Sequence, residues 1–181
     1  MRMFPSQLLL TVAASLVLAA CGNASFGDSG STSIANGDIV VRGEQVVLHG
    51  TGGADGSLDA TGNLVVDGRA VAVDATQREQ LRQYYQAAHA VREHGIATGK
   101  AGAALALKSV KVAAAHVTGG DGAEADAALD AATRRVDREA SKICLQLQQI
   151  RAAQDRLAAT LPAFSPFAHI VDRAENCSAR N

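Results

Sequence analysis

The chain has 181 residues, a formal net charge of −1, five histidines, three cysteines and no tryptophan. That balance provides no basic field to hold nucleic acid by releasing its counterions, so nucleic acid is excluded as a partner. Aromatic residues make up only 3% of the chain, too few for a cleft that stacks sugar rings.

In chain order, Arg2 and the apolar run from Leu8 to Leu18 have the layout of an export signal. A helix that crosses a bilayer needs roughly 20 apolar residues, and this run gives way sooner to Gly22-Asn23-Ala24-Ser25. Residues 1–20 therefore read as a cleaved signal peptide, and the remaining chain is long enough for one domain with a modest core. Leu18-Ala19-Ala20-Cys21 resembles the lipobox of bacterial lipoproteins. The resemblance implies acylation of the Cys21 thiol, with palmitate among the acyl chains, and attachment to the periplasmic face of a membrane. Gly22, where aspartate would signal inner-membrane retention, implies the outer membrane. The alternative is an ordinary signal peptide cut after Ala20, which leaves Cys21 as a thiol or in a disulfide.

Residues 21–36 are rich in Gly, Asn, Ser and Asp, bury little, and are expected to form a flexible tether. A single α+β domain is predicted over 37–181. Within 37–73 the apolar period is two, and strands are expected at Ile39-Val40-Val41, Gln45-Val46-Val47-Leu48-His49, Gly62-Asn63-Leu64-Val65-Val66 and Ala70-Val71-Ala72-Val73. Asp67-Gly68 supplies the positive backbone angles of a type I′ turn and makes 64–73 a hairpin. Arg42-Gly43 and residues 50–56 read as further turns.

Helices are predicted over 76–161. Thr76-Gln77-Arg78-Glu79 fits a capping box, and Leu81, Tyr84, Tyr85, Ala88 and Val91 form one apolar stripe. A break is expected at His94-Gly95, since glycine costs about 1 kcal/mol inside a helix. Beyond it, Gly95, Gly99 and Gly102 leave room for another backbone, and Lys100, Lys108 and Lys111 fall within about 80° of one another. The segment 96–117 is therefore amphipathic, suited to burial against the next helix or to a membrane surface. Gly119-Gly120-Asp121-Gly122 ends it, and a long helix follows from about Ala123 to Leu161, stopped by Pro162. Its stripe of Leu129, Ala132, Val136, Ala140, Ile143, Leu147, Ile150, Leu157 and Leu161 suits an antiparallel hairpin or coiled coil, with Gln154 interrupting the seam. The tail 162–181 carries Phe164, Phe167 and Ile170 and is expected to fold back. The fold class is thus a small antiparallel β-hairpin or meander unit followed by an α-helical hairpin with a long C-terminal helix.

In an oxidising compartment Cys144 and Cys177 are expected to pair, closing a loop of about 33 residues worth on the order of 3 kcal/mol. Pairing of Cys144 with Cys21 is the alternative if Cys21 carries no lipid. The stretch Gly62-Asn63-Leu64-Val65-Val66-Asp67-Gly68-Arg69-Ala70-Val71, then Thr76-Gln77-Arg78-Glu79-Gln80 and Tyr84-Tyr85, resembles the YggN-type family of periplasmic proteins, as does Lys142-Ile143-Cys144 through Arg156-Leu157. The likeness implies export and a β-hairpin unit leading into helices, in a family of unknown function with no assigned active site. The lipobox, a shorter helical middle and Cys177 depart from that pattern and put the family's own cysteine pairing in doubt here.

No reactive constellation emerges. Gly95-Ile96-Ala97-Thr98-Gly99-Lys100-Ala101 is one residue short of a phosphate loop, lacks the hydroxyl residue after lysine and follows a helix, so no nucleotide is expected. His49, His89, His94, His116 and His169 make no i, i+4 pair for a metal, and Asp121, Glu124, Asp126 and Asp130 lack calcium-loop spacing. Catalytic, cofactor and metal residues are expected to be absent. The expected function is that of a lipid-anchored, non-enzymatic envelope interaction or structural module, meeting a protein partner or itself through the helical hairpin. The alternative is a membrane-surface or lipid-binding module using 96–117.

Overall fold

The computed structural model describes residues 30–117 and 122–171. Six strands, β1 (Ser31–Ile34), β2 (Ile39–Arg42), β3 (Gln45–His49), β4 (Asp55–Leu58), β5 (Leu64–Val66) and β6 (Arg69–Ala70), form one antiparallel meander in sequence order. Helices α1 (Ala75–Val117) and α2 (Gly122–Thr160) follow and pack against each other, and a 3-10 segment, Pro162–Phe167, closes the described chain. This is the α+β architecture expected from the change of apolar period.

The alternation of side chains along the strands decides which face is buried. Ile34, Ile39, Val41, Val46, Leu48, Leu58 and Leu64 point to one side and are buried there. They meet Leu81, Tyr84, Tyr85, Ala88 and Val91 of α1, Ile150, Ala153 and Leu157 of α2, and Leu161 just after it. Each such large apolar side chain contributes about 1.5–3 kcal/mol by leaving water. The 64–73 hairpin turns as expected: Asp67 and Gly68 have φ of 49° and 75°, and Val66 pairs with Arg69 across the two-residue loop.

Several expectations need correction. The tether expected over 21–36 overlaps β1, because Ser31 to Ile34 pairs with Arg42 to Ile39 and buries Ile34. Its polar Ser-Thr-Ser sequence suits an edge strand, where backbone pairing needs few apolar side chains. Residues 55–58, of which 55 and 56 were expected to lie in a turn, form β4 between β3 and β5. Beyond β6 the expected strand through Val73 ends early, after one further ladder bond from Val71 N–H to the Leu64 carbonyl, at 2.9 Å.

The capping box lies two residues earlier than expected. Asp74 Oδ1 accepts from Gln77 N–H at 2.8 Å, and Gln77 Oε1 accepts from Asp74 N–H at 3.0 Å. Gln77 Nε2 also donates to the Thr160 carbonyl at 2.8 Å, tying the start of α1 to the end of α2. Asp74→Ala is expected to cost about 1 kcal/mol in urea titrations, whereas Thr76→Ala should cost less than about 0.5 kcal/mol. Equal losses would refute this assignment.

No break occurs at His94-Gly95, and α1 continues for 43 residues. The helix tolerates the glycine because α2 runs beside it and His94 Nδ1 lies 3.2 Å from Glu139 Oε2 across the hairpin. Nor do Gly95 and Gly102 admit a neighbouring backbone, since a methyl group on either would enter open space. Gln154 is fully buried and binds the returning tail, and Ala140 of the expected stripe is exposed. The expected turn at 119–122 lies outside the described residues, apart from Gly122 at the start of α2.

Candidate interaction surface

The long helices divide into a base and an arm. At 1.5 Å per residue α1 is about 65 Å long, and its part beyond Val91 extends about 39 Å. Val91 is the last residue of α1 in the core cluster, and Ile150 is the first residue of α2 in it. Between them lies a two-helix arm whose buried apolar residues, among the described residues, are Ala101, Val112 and Ala132. Small side chains let the helices approach but remove little area from water, so packing holds the arm less firmly than the base.

Polar contacts supplement that packing. Glu139 meets His94 at 3.2 Å and Lys142 at 2.9 Å, and hydrogen bonding from Lys142 is the main effect holding its carboxyl below the usual range. Lys108 Nζ donates to the Ala128 carbonyl at 3.3 Å. Thr98, Ser109, Thr133 and Ser141 each donate to the carbonyl four residues earlier, which commits these hydroxyls to the helix backbone.

The two outer faces of the arm differ. On α2, Asp130, Arg134, Asp137, Ser141 and Gln148 point outward as a mixed-charge surface suited to water, beside Leu145, which is 56% exposed. On α1, Ile96, Lys100, Ala103, Leu107, Val110 and Ala114 recur at steps of four and three residues, within about 80° of arc. The stripe is centred about 150° from Ala101 and Val112, which face α2. Ile96 is 39% exposed, and Leu107 and Val110 are each 69% exposed. No Asp or Glu occurs in 94–117. The spacing of this second stripe is legible in the sequence, but which face of α1 stays open depends on where α2 packs.

A groove of about 480 Å³ runs between the helices at the base. Gln83, Gln86, Gln146, Gln149 and Arg156 line it over Ala87, Ala90 and Ala152. On α1 these positions lie roughly 140° from the core stripe, so the groove opens away from the sheet. Neutral amides beside one guanidinium can hydrogen-bond a polar chain but supply no nucleophile. The i, i+3 glutamine spacing on both helices was legible in the sequence, though only the hairpin register brings the pairs together.

The other candidate residues are dispersed. His49 Nδ1 lies 2.8 Å from Asp55 Oδ1, and His89 stacks on Tyr85 with centroids 4.3 Å apart. Burial is the main effect pushing the His89 imidazole below its ordinary pKa. Among the described residues, no group of three or more His, Cys, Asp or Glu side chains could hold a metal ion, and no helix is long and apolar enough to cross a membrane. Glu124 lies in the first turn of α2, Asp126 and Asp130 are exposed beyond it, and Asp121 lies outside the described residues. Cys144 is half-buried on α2. Cys21 and Cys177 lie outside the described residues, and so do the expected lipidation and both expected pairings.

No family model matches the chain, and no curated protein or solved structure matches it either.

Proposed function

We propose that this protein is a lipid-anchored, non-enzymatic interaction module of the bacterial envelope, held at the periplasmic face of the outer membrane by acyl groups on Cys21. The sheet and the helix bases form its rigid head, and the two-helix arm is its contact element. A bridge between Cys144 and Cys177 belongs to the same reading.

One observation carries the proposal: the arm extends past the core with Leu107, Val110 and Leu145 in water. Exposed side chains of this size on an element that adds little to the core mark interaction sites more often than random surface does. The polar groove at the base gives a protein partner a second, hydrogen-bonding foothold. A photo-crosslinking amino acid at Leu145 in intact cells is expected to yield discrete higher-mass adducts, absent when it is placed at Ser57 in the sheet. If both positions give monomer alone, the arm is not a contact element.

The basic border of the α1 stripe favours a second reading, in which that side of the arm meets lipid while the groove and α2 stay open to protein.

A further inference from the structure

We propose that the outer face of α1 over 96–114 is a seat for an anionic phospholipid surface, which lays the arm along the membrane carrying the anchor. The proposal rests on the anchored reading above and names what covers the exposed stripe.

Charge is the first argument. Lys100 and Lys111 border the stripe on one side, and the small residues Gly99, Ala106 and Ala113 lie on the other, while Lys108 sits about 120° from the stripe centre and donates to α2. The last acidic residue before them is Glu93 and the next is Asp121, so α1 sets no negative side chain against these lysines. An apolar stripe edged by lysine alone is complementary to headgroups carrying negative charge over an apolar interior.

The stripe's composition then selects the occupant. A partner helix needs a large apolar knob in nearly every layer, but of six seam positions only Ile96, Leu107 and Val110 supply one and Lys100 fills another. A second copy would also bring its own lysines against these. Seating at the headgroup boundary requires no matched holes, and lysine stems can lie on the apolar boundary with their ammonium groups in the headgroups. With neither tryptophan nor phenylalanine in the stripe, attachment depends on the lysines and therefore on salt.

Reach is the third argument. Ten residue-to-residue steps lead from Cys21 to Ser31, a span of at most about 36 Å. An acylated Cys21 would keep the arm within a few tens of ångströms of the headgroups, where weak surface attraction acts at high effective concentration. The stripe begins just beyond Val91, so the sheet packed on the base does not cover it.

The test uses the mature chain, residues 21–181, carrying Cys21→Ser, which cannot be acylated, floated with vesicles of phosphatidylcholine alone or with one-third phosphatidylglycerol. At low salt the bound fraction is expected to be about fivefold higher on the anionic vesicles and to fall to the neutral level near 0.5 M salt. Lys100→Glu/Lys111→Glu should abolish the difference. Leu107→Ser/Val110→Ser should reduce it while leaving the helical circular dichroism unchanged. Equal flotation on both vesicles, or anionic binding that survives the double charge reversal, overturns the proposal. So does a loss of flotation in which the arm crosslinks only to an acidic protein. An acyl-free Cys21 found by mass spectrometry would remove the anchor and leave the flotation result standing, and failed flotation would leave the anchor standing.

Discussion

Phe167→Ala is expected to lower unfolding free energy by about 3–5 kcal/mol, measured by urea titration of the mature domain. The ring is fully buried in the core cluster, edge-on to Phe164 at 5.5 Å, and Phe164 in turn meets Tyr84 at 6.0 Å. Its seat is built by two glycines, Gly50 just past β3 and Gly56 in β4. A methyl group at Gly50 or Gly56 would lie 2.8 Å from the Phe167 ring, so only hydrogen at those positions lets the tail lie flat on β4. Gly56→Ala should therefore also destabilise, by about 1–3 kcal/mol through overpacking. In the double variant the new methyl group occupies space the ring has left, and the combined loss should be smaller than the sum. Strict additivity would show that ring and glycine do not share the site.

That arrangement marks where the sequence was legible. Period-two runs identified β2, β3 and β5, and Asp67-Gly68 identified the turn, because these are local choices set by backbone geometry. β4 was hidden because Gly56 reads as a turn residue until Phe167, more than a hundred residues later, is known to press against it. β1 was hidden because an edge strand needs only backbone partners, which Ser31-Thr32-Ser33 satisfies without an apolar pattern. The capping box was seen but misplaced: Asp74 is as good a cap as Thr76, and what favours Asp74 is the glutamine three residues on, itself held by Thr160. Gly95 was overweighted for a related reason, since its cost of about 1 kcal/mol is small beside continuous packing along a second helix.

The candidate surface was legible in part. The lysine arc and the amphipathic character of 96–117 follow from spacing alone, but which face is open depends on where α2 lies. That is set by pairs such as His94 with Glu139. The glutamine groove needs the same register. Both surfaces are interhelical, and a single helix's period cannot report which of its faces a second helix will leave uncovered.

Gln154→Leu is expected to cost about 2–4 kcal/mol although it replaces a fully buried polar residue with an apolar one of similar size. On the stripe of α2 the glutamine interrupts an otherwise apolar seam, yet both ends of its amide are used. Nε2 donates to the Ala168 carbonyl at 2.8 Å, and Oε1 accepts from Val171 N–H at 3.2 Å. Leucine would remove both partners and leave two tail backbone groups unpaired at a buried site, which costs more than a simple polar-to-apolar exchange gains. Gln154→Glu tests the same geometry through pH. An ionised carboxylate can accept from Val171 but would oppose the Ala168 carbonyl, whereas the protonated acid can donate to it as the amide does. Burial should therefore raise the folded-state pKa of this glutamate above its unfolded value. The stability tied to its protonated form would be complete below the unfolded pKa, about 4.3, and lost as pH rises through the folded value. Hydrogen exchange should show the tail amides at 164–171 opening first in both variants while those of the arm are unchanged. A Gln154→Glu protein as stable relative to wild type at pH 8 as at pH 4 would mean that this amide does not clamp the tail.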